Sequence, residues 1–235
     1  MLRRIRNPYL HPDYRGRTRE SVVAFIDVLG FSALIRNAAH DKNALDRLLA
    51  SFRRDLGQAM KHVASFRVLK SHPALWQVKT FSDNIVIGFP FYDDKFPAEP
   101  DFRGEMEVSG LLFNLALFQL AMVKRGWFFR GAVAVGEHYM DNNLVFGDAI
   151  LEAVDDEKRA CYPRILMSKS TRAYIDRHLK VFGHPRRSGY YYDLLLEDGD
   201  GNLFLDYLGL THTREFGIIE DDLRQHRDQV AARLD

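Results

Sequence analysis

The fold of this chain is decided by residues 22–30, VVAFIDVLG. A continuous apolar run that ends at a glycine is typical of a central β-strand covered on both faces. Asp27 then lies at the carboxyl end of the strand, and its own segment carries no Lys or Arg. A buried carboxylate without a partner is costly, so Asp27 is a candidate for binding a cation.

A second carboxylate lies in a similar apolar context within residues 78–89, VKTFSDNIVIGF. Two short apolar runs flank Asp83, which predicts a tight hairpin or bulge between antiparallel strands with Asp83 at its tip. Two such carboxylates favour a shared Mg²⁺ or Mn²⁺ and a nucleoside triphosphate substrate, because these ions also bind phosphates. The alternative is structural: Asp27 caps the following helix and Asp83 is an ordinary turn residue.

Hydrophobic periodicity predicts an α+β fold of the ferredoxin-like type, with the element order βαββαβ. The predicted elements are strands at 22–28, 75–81, 85–89, 127–137 and 144–146, and helices at 43–63, 105–124 and 147–158. An edge hairpin around residues 198–201 and a charged helix at 220–235 are predicted as C-terminal elaborations. We expect one domain at residues 21–210, an N-terminal arm at 1–20 and a C-terminal tail at 211–235.

The composition favours an ordinary packed domain without a nucleic-acid partner. The chain has 235 residues, of which 46% are hydrophobic, and a formal charge of +1 gives no field that attracts nucleic acid. Cys161 is the single cysteine and allows no intramolecular disulfide. The longest apolar stretch, residues 111–123, is too short to span a bilayer and predicts a buried helix. We therefore expect a cytoplasmic protein with no membrane contact.

Four segments resemble motifs of the class III nucleotidyl cyclases. Residues 25–32, FIDVLGFS, resemble the first metal motif of that family, and residues 79–83, KTFSD, resemble the second with Ser82 in place of glycine. Residues 129–136, FRGAVAVG, and 145–147, VFG, resemble the strand and turn that follow. The similarity covers roughly residues 20–160 in the family's order, which makes it more specific than any single motif.

The resemblance implies a site that binds a nucleoside triphosphate and two Mn²⁺ or Mg²⁺ ions between the subunits of a head-to-tail homodimer. Asp27 and Asp83 would bridge the ions, with the Val28 carbonyl as a further ligand. Arg130 and Arg164 are the candidates for stabilising the transition state, and Lys79 for contacting the base. Backbone N–H groups of the turn would bind the β- and γ-phosphates, and this turn comprises Val28, Leu29, Gly30, Phe31 and Ser32.

A narrower resemblance is to the pyrimidine cyclases of bacterial Pycsar anti-phage systems, carried by residues 146–153, FGDAILEA, and 161–165, CYPRI. It implies synthesis of cyclic UMP or cyclic CMP, with a slight preference for UTP, and a separately encoded effector. The resemblance also places Leu144 among the base contacts, at a position where purine cyclases have an Asp. Purine cyclases have an Asn and an Arg where this chain has Leu151 and Asp155. Two alternatives stay open: a purine cyclase with unusual base recognition, and an inactive cyclase-like module for nucleotide sensing or dimerisation.

Overall fold

The computed structural model describes residues 7–10, 16–65, 77–91, 103–182, 194–212 and 220–234. In these ranges the elements are β1 (Arg19–Val28), α1 (Phe31–Ala38), α2 (Lys42–Ser65), β2 (Gln77–Phe81), β3 (Asn84–Pro90), α3 (Glu105–Val123), β4 (Phe129–Met140), β5 (Val145–Gly147), α4 (Asp148–Glu157), β6 (Ile165–Met167), α5 (Lys169–Phe182), β7 (Leu195–Glu197), β8 (Leu203–Leu205), a 3₁₀ helix (Tyr207–His212) and α6 (Glu220–Leu234).

The centre of the sheet confirms the predicted α+β fold. Strands run in the order β2-β3-β1-β4, and every neighbouring pair is antiparallel. With α1 and α2 between β1 and β2, and α3 between β3 and β4, this is the ferredoxin-like βαββαβ arrangement. β1 is the predicted central strand, and its residues 21–26 are all buried.

The sheet extends past β4 through short strands near the C-terminus. β6 pairs parallel with β4, β8 follows β6, and β7 forms the far edge, while β5 folds back onto β4. β7 and β8 are joined around residues 198–202, so the predicted edge hairpin is confirmed. The domain boundaries near residues 20 and 210 stay predictions, and residues 1–6 and 11–15 of the predicted arm lie outside the described ranges.

Each face of the sheet has its own apolar core. Val22, Ala24, Ile26 and Val28 of β1 join the larger core with α2 and α3. Val23 and Phe25 point to the opposite face and pack with Ala149, Ile150 and Ala153 of α4. Because side chains alternate along a strand, Asp27 belongs to the same face as Val23 and Phe25. The pleat therefore directs Asp27 towards the α4 side of the sheet.

The helix α3 is the main apolar element of the larger core. All its residues from Gly110 to Val123 are buried, as the sequence predicts. Among the described residues it is the one helix with the length and hydropathy to cross a membrane, but 83% of its apolar window is buried inside the fold. Its hydrophobicity is accounted for by the core.

Candidate active site

Asp27 and Asp83 meet at one end of the sheet, as the sequence predicts. Asp27 is opposite Asn84 in the β1–β3 pairing, so Asp83 in the β2–β3 turn lies next to it. The two carboxyl groups are close enough for Asp83 to raise the pKa of Asp27. The side chain of Asp27 is 16% exposed. Two acidic groups from separate strands are thus held side by side in a shielded position.

The turn that carries Asp83 has the backbone shape expected of the glycine in the resembled motif. Ser82, which occupies the position of the family's glycine, has a φ of 56°. This left-handed conformation is strained for residues with a Cβ and is easily adopted by glycine. The backbone thus keeps the shape that favours glycine, and Asp83 stays at the tip of the hairpin.

The surroundings of Asp27 make its charged form unfavourable. Burial, then the neighbouring Asp83, then Glu157 raise the pKa of Asp27 from 3.8 to about 6, and Arg130 opposes them. A divalent cation between the carboxylates would reverse this balance, because it stabilises the charged forms of both. The pair therefore fits a cation that takes its other ligands from water and phosphate.

The two carboxylates do not form a complete metal cage. Within the described ranges, no group of three or more His, Cys, Asp or Glu side chains is arranged to hold a metal ion. Mg²⁺ is usually bound by one or two carboxylates plus substrate phosphates, so a pair is sufficient for this kind of site. The Val28 carbonyl at the end of β1 is the predicted further ligand.

Arg130 lies beside the carboxylate pair, while its predicted role in the transition state stays a prediction. It faces Asp27 in the β1–β4 pairing, and its Nη2 is 3.4 Å from Asp27 Oδ2. Its Nε is 2.6 Å from Glu157 Oε1. Glu157 is the last residue of α4, and its side chain is 8% exposed. Glu157 is not recognisable from the sequence, because it falls in a charged run at residues 155–158 that is typical of an exposed helix end.

The predicted phosphate-binding turn is the N-terminus of α1. Gly30 precedes the helix with a φ of 75°, and no side chain caps the helix. The N–H groups of the first helical residues, including Phe31 and Ser32, have no acceptor inside the helix and can bind an anion. Leu29 differs from the prediction, because its N–H already donates to the Phe128 carbonyl at 2.8 Å.

The ring of Phe31 belongs to the core rather than to the site. It packs against Phe52 and Trp127, with ring centroids 5.1 and 6.3 Å away. This packing anchors the first turn of α1 beneath the sheet end. Of Phe31, only the backbone is therefore left for the predicted phosphate contact.

The two predicted base contacts come together at a second position. Lys79 Nζ approaches the Asp141 carbonyl at 3.5 Å, and the Leu144 N–H donates to Asp141 Oδ1 at 2.8 Å. The Leu144 side chain is half exposed. The β4–β5 turn thus brings the half-buried Lys79 and the exposed Leu144 to one residue, Asp141.

Arg164 is directed away from the carboxylate pair. Its guanidinium binds Asp198 at 2.6 Å and Asp200 at 2.5 Å, and lies 5.4 Å from the centre of the Tyr162 ring. It is buried, and its carbonyl accepts a hydrogen bond from the Gly131 N–H. In this arrangement Arg164 attaches the β7–β8 hairpin to the sheet, while its predicted catalytic role stays a prediction.

Comparison with known proteins gives structural neighbours only. No family model and no curated protein matches the chain. Similar solved structures are the adenylyl cyclase CyaB from P. aeruginosa (14% identity, 80% of this chain, 94% of that chain, TM-score 0.47) and a guanylyl cyclase domain of the RhoGC fusion protein from Blastocladiella emersonii (12%, 80%, 97%, 0.45). An adenylate/guanylate cyclase/hydrolase from Silicibacter pomeroyi has 17% identity over 81% of this chain and 96% of that chain, with a TM-score of 0.44. Identities this low leave the reaction and the substrate to be established from the site itself.

The raised pKa of Asp27 predicts a pH-dependent stability. Because the folded-state value of about 6 exceeds 3.8, Asp27 contributes stability below pH 3.8 that is lost as the pH rises through 6. Urea unfolding in EDTA measures this effect. As the pH rises from 4 to 7, the free energy of unfolding of Asp27→Asn should increase relative to that of the wild type by roughly 1 to 2 kcal/mol, after allowance for solvent screening. A difference that does not change with pH would contradict the clustering of acidic groups around Asp27.

Proposed function

We propose that the protein is a nucleotidyl cyclase that converts a pyrimidine nucleoside triphosphate, UTP in preference to CTP, into the cyclic monophosphate and pyrophosphate. The observation that carries the proposal is the Asp27–Asp83 pair, held at the sheet end just ahead of an uncapped helix N-terminus. A carboxylate pair for a cation and N–H donors for phosphate are the two parts that a triphosphate-cleaving site requires.

The reaction is an intramolecular phosphoryl transfer. The ribose 3′-oxygen forms a bond to the α-phosphorus, the bond to the β-phosphate oxygen breaks, pyrophosphate leaves with the electron pair, and the hydroxyl proton passes to solvent. A bound Mg²⁺ or Mn²⁺ supplies Lewis-acid chemistry that acidifies the hydroxyl and neutralises the departing oxygens.

The chain's own residues hold and orient the substrate. Asp27 and Asp83 hold the cation, and the first N–H groups of α1 hold the β- and γ-phosphates. Lys79 can donate to a pyrimidine carbonyl. The Leu144 side chain offers no acceptor for an exocyclic amino group, which adenine, guanine and cytosine carry and uracil lacks, and this supports UTP as the substrate.

A homodimer completes the proposal, with the base surface of one subunit facing the cation site of the other. Several large apolar side chains are exposed on β2 and around the β4–β5 turn, and a partner subunit would cover them: Val78, Phe81, Leu144 and Phe146. The proposed product is a second messenger for an effector in anti-phage defence. The narrower resemblance of residues 146–153 and 161–165 supports that role.

The test is incubation of the purified protein with Mn²⁺ and each of ATP, GTP, CTP and UTP, with pyrophosphate measured and products identified by mass. We expect cyclic UMP to form fastest, cyclic CMP more slowly and purine products at least about tenfold more slowly, because a missing base contact typically costs that much. A faster purine reaction would reject the assignment of the base surface but keep the cyclase.

A second candidate is a nucleotide-binding module without turnover. It is favoured by the pairing of both proposed transition-state cations with carboxylates, Arg130 with Asp27 and Glu157, and Arg164 with Asp198 and Asp200. Saturable binding of a triphosphate in Mn²⁺ with no pyrophosphate release from any of the four would establish this candidate.

A further inference from the structure

Glu157 is a buried carboxylate in an unfavourable position. It is the last residue of α4, where the partial negative charge of the helix end repels an anion. Its side chain is 8% exposed, so solvent does little to offset that repulsion. Its Oε1 has no hydrogen-bond partner of good geometry among the described residues, and its close contact is the ion pair with Arg130. A buried carboxylate retained at such a cost points to a role beyond packing.

Arg130 is shared unequally between two carboxylates. Its Nε lies 2.6 Å from Glu157, whereas its Nη2 lies 3.4 Å from Asp27. The shorter Glu157 contact is the stronger ion pair, because Coulomb attraction falls with distance, although only the Asp27 contact has hydrogen-bond geometry. A cation that competes for Asp27 would therefore displace Arg130 from Asp27 before it displaced Arg130 from Glu157.

We infer that Glu157 is a positioning residue that holds Arg130 back from Asp27, so that Asp27 is available to a divalent cation. This inference rests on the proposed cation site at Asp27 and Asp83. In the free protein Arg130 supplies part of the positive charge that the carboxylate pair requires. On cation binding, Glu157 keeps the arginine neutralised at a distance from Asp27.

The alternative, that Glu157 is itself a ligand of the cation, is less consistent with the geometry. No group of three acidic or other ligating side chains is arranged around one point in the described ranges. Glu157 Oε1 is directed at Arg130 Nε, which lies between α4 and the start of β4. The two roles differ in whether the effect of Glu157 depends on Arg130.

The test is a double-mutant cycle on Mn²⁺ affinity, measured from the electron paramagnetic resonance signal of free Mn²⁺ with no nucleotide present. Glu157→Gln frees Arg130 to pair with Asp27, so Mn²⁺ should bind roughly tenfold more weakly. Arg130→Gln removes the competitor, so Mn²⁺ should bind several-fold more tightly than to the wild type. In the double variant the Glu157→Gln loss should largely disappear, because the residue that transmits it is gone. Glu157→Asp should recover part of the wild-type affinity.

Asp156→Asn is the matched control. Asp156 is the neighbour of Glu157 on α4, is similarly shielded at 12% exposure, and pairs with Arg159 at 2.7 Å. The Asp156→Asn variant loses the same charge as Glu157→Gln without releasing Arg130, so its Mn²⁺ affinity should stay within about twofold of that of the wild type. Thermal unfolding of each variant shows that it is folded, and the double variant leaves neither member of the pair charged and buried.

The outcomes separate this inference from the proposed function. If Glu157→Gln weakens Mn²⁺ binding equally in the wild-type protein and in the Arg130→Gln variant, Glu157 acts on the cation directly. If it weakens Mn²⁺ binding in neither, Glu157 has no effect on the cation site. Either result overturns the inference while leaving the cation site intact. Wild-type protein that binds no Mn²⁺, or binds it equally after Asp27→Asn, would overturn both.

Discussion

Asp27→Asn is expected to lower the rate of cyclic nucleotide formation by roughly a thousandfold, and Asp83→Asn by a similar factor. The amide has nearly the shape of the carboxylate but not its charge, so the cation loses half of its anionic ligand pair. The protein should stay folded, because burial and the acidic neighbours of Asp27 disfavour its charged form, so that removing this charge does not weaken the fold. Initial rates of pyrophosphate release with Mn²⁺ and UTP, measured beside thermal unfolding, test this expectation.

The control for this prediction is Asp156→Asn, which also removes a shielded carboxylate from the α4 face of the sheet. Its partner is Arg159, and it contacts neither Asp27 nor Asp83 in the described structure. Its rate should remain within a few-fold of the wild type. Turnover that survives Asp27→Asn and Asp83→Asn undiminished would remove the cation assignment.

Gly131→Ala is expected to destabilise the fold by about 3 kcal/mol or more. A Cβ at this position would lie 2.3 Å from the Phe25 carbonyl oxygen and 2.9 Å from the Ile26 Cα. Both contacts are with the backbone of β1, so β1 and β4 would have to separate at the residues that carry Asp27 and Arg130. Urea unfolding at neutral pH measures the change.

Gly57→Ala provides the matched comparison. Gly57 lies on the exposed surface of α2, and an added Cβ there would contact nothing within 4 Å. Because alanine favours the helical backbone, this variant should be more stable by up to about 1 kcal/mol. If Gly131→Ala is as stable as the wild type, β1 and β4 are not paired in this register. Arg130 would then not lie opposite Asp27.

Local sequence patterns predict the centre of this fold well. The run at residues 22–28 is apolar except for Asp27, which identifies a strand buried on both faces before any neighbour is known. The turn at Ser82 and Asp83 is equally local, since it lies between two apolar runs. These two patterns place each carboxylate at the end of a strand, and the antiparallel β1–β3 pairing then brings the two together.

The partners of the arginines are not local and were not predicted. Glu157 is adjacent to Asp27 only because α4 packs on the face of the sheet to which Asp27 points. Arg164 is neutralised by Asp198 and Asp200, about 35 residues further along the chain. Such pairs depend on how elements pack together, and charged side chains at a helix end or in a hairpin normally indicate a solvated surface.

The most direct test of the central claim is a ³¹P nuclear magnetic resonance time course of UTP with the wild-type protein and Mg²⁺. We expect the triphosphate signals to be replaced by pyrophosphate and a cyclic phosphodiester in equal amounts, and EDTA to stop the change. Release of orthophosphate, or formation of an uncyclised monophosphate, would show that Asp27 and Asp83 serve a hydrolase. It would contradict the proposal that they serve a cyclase.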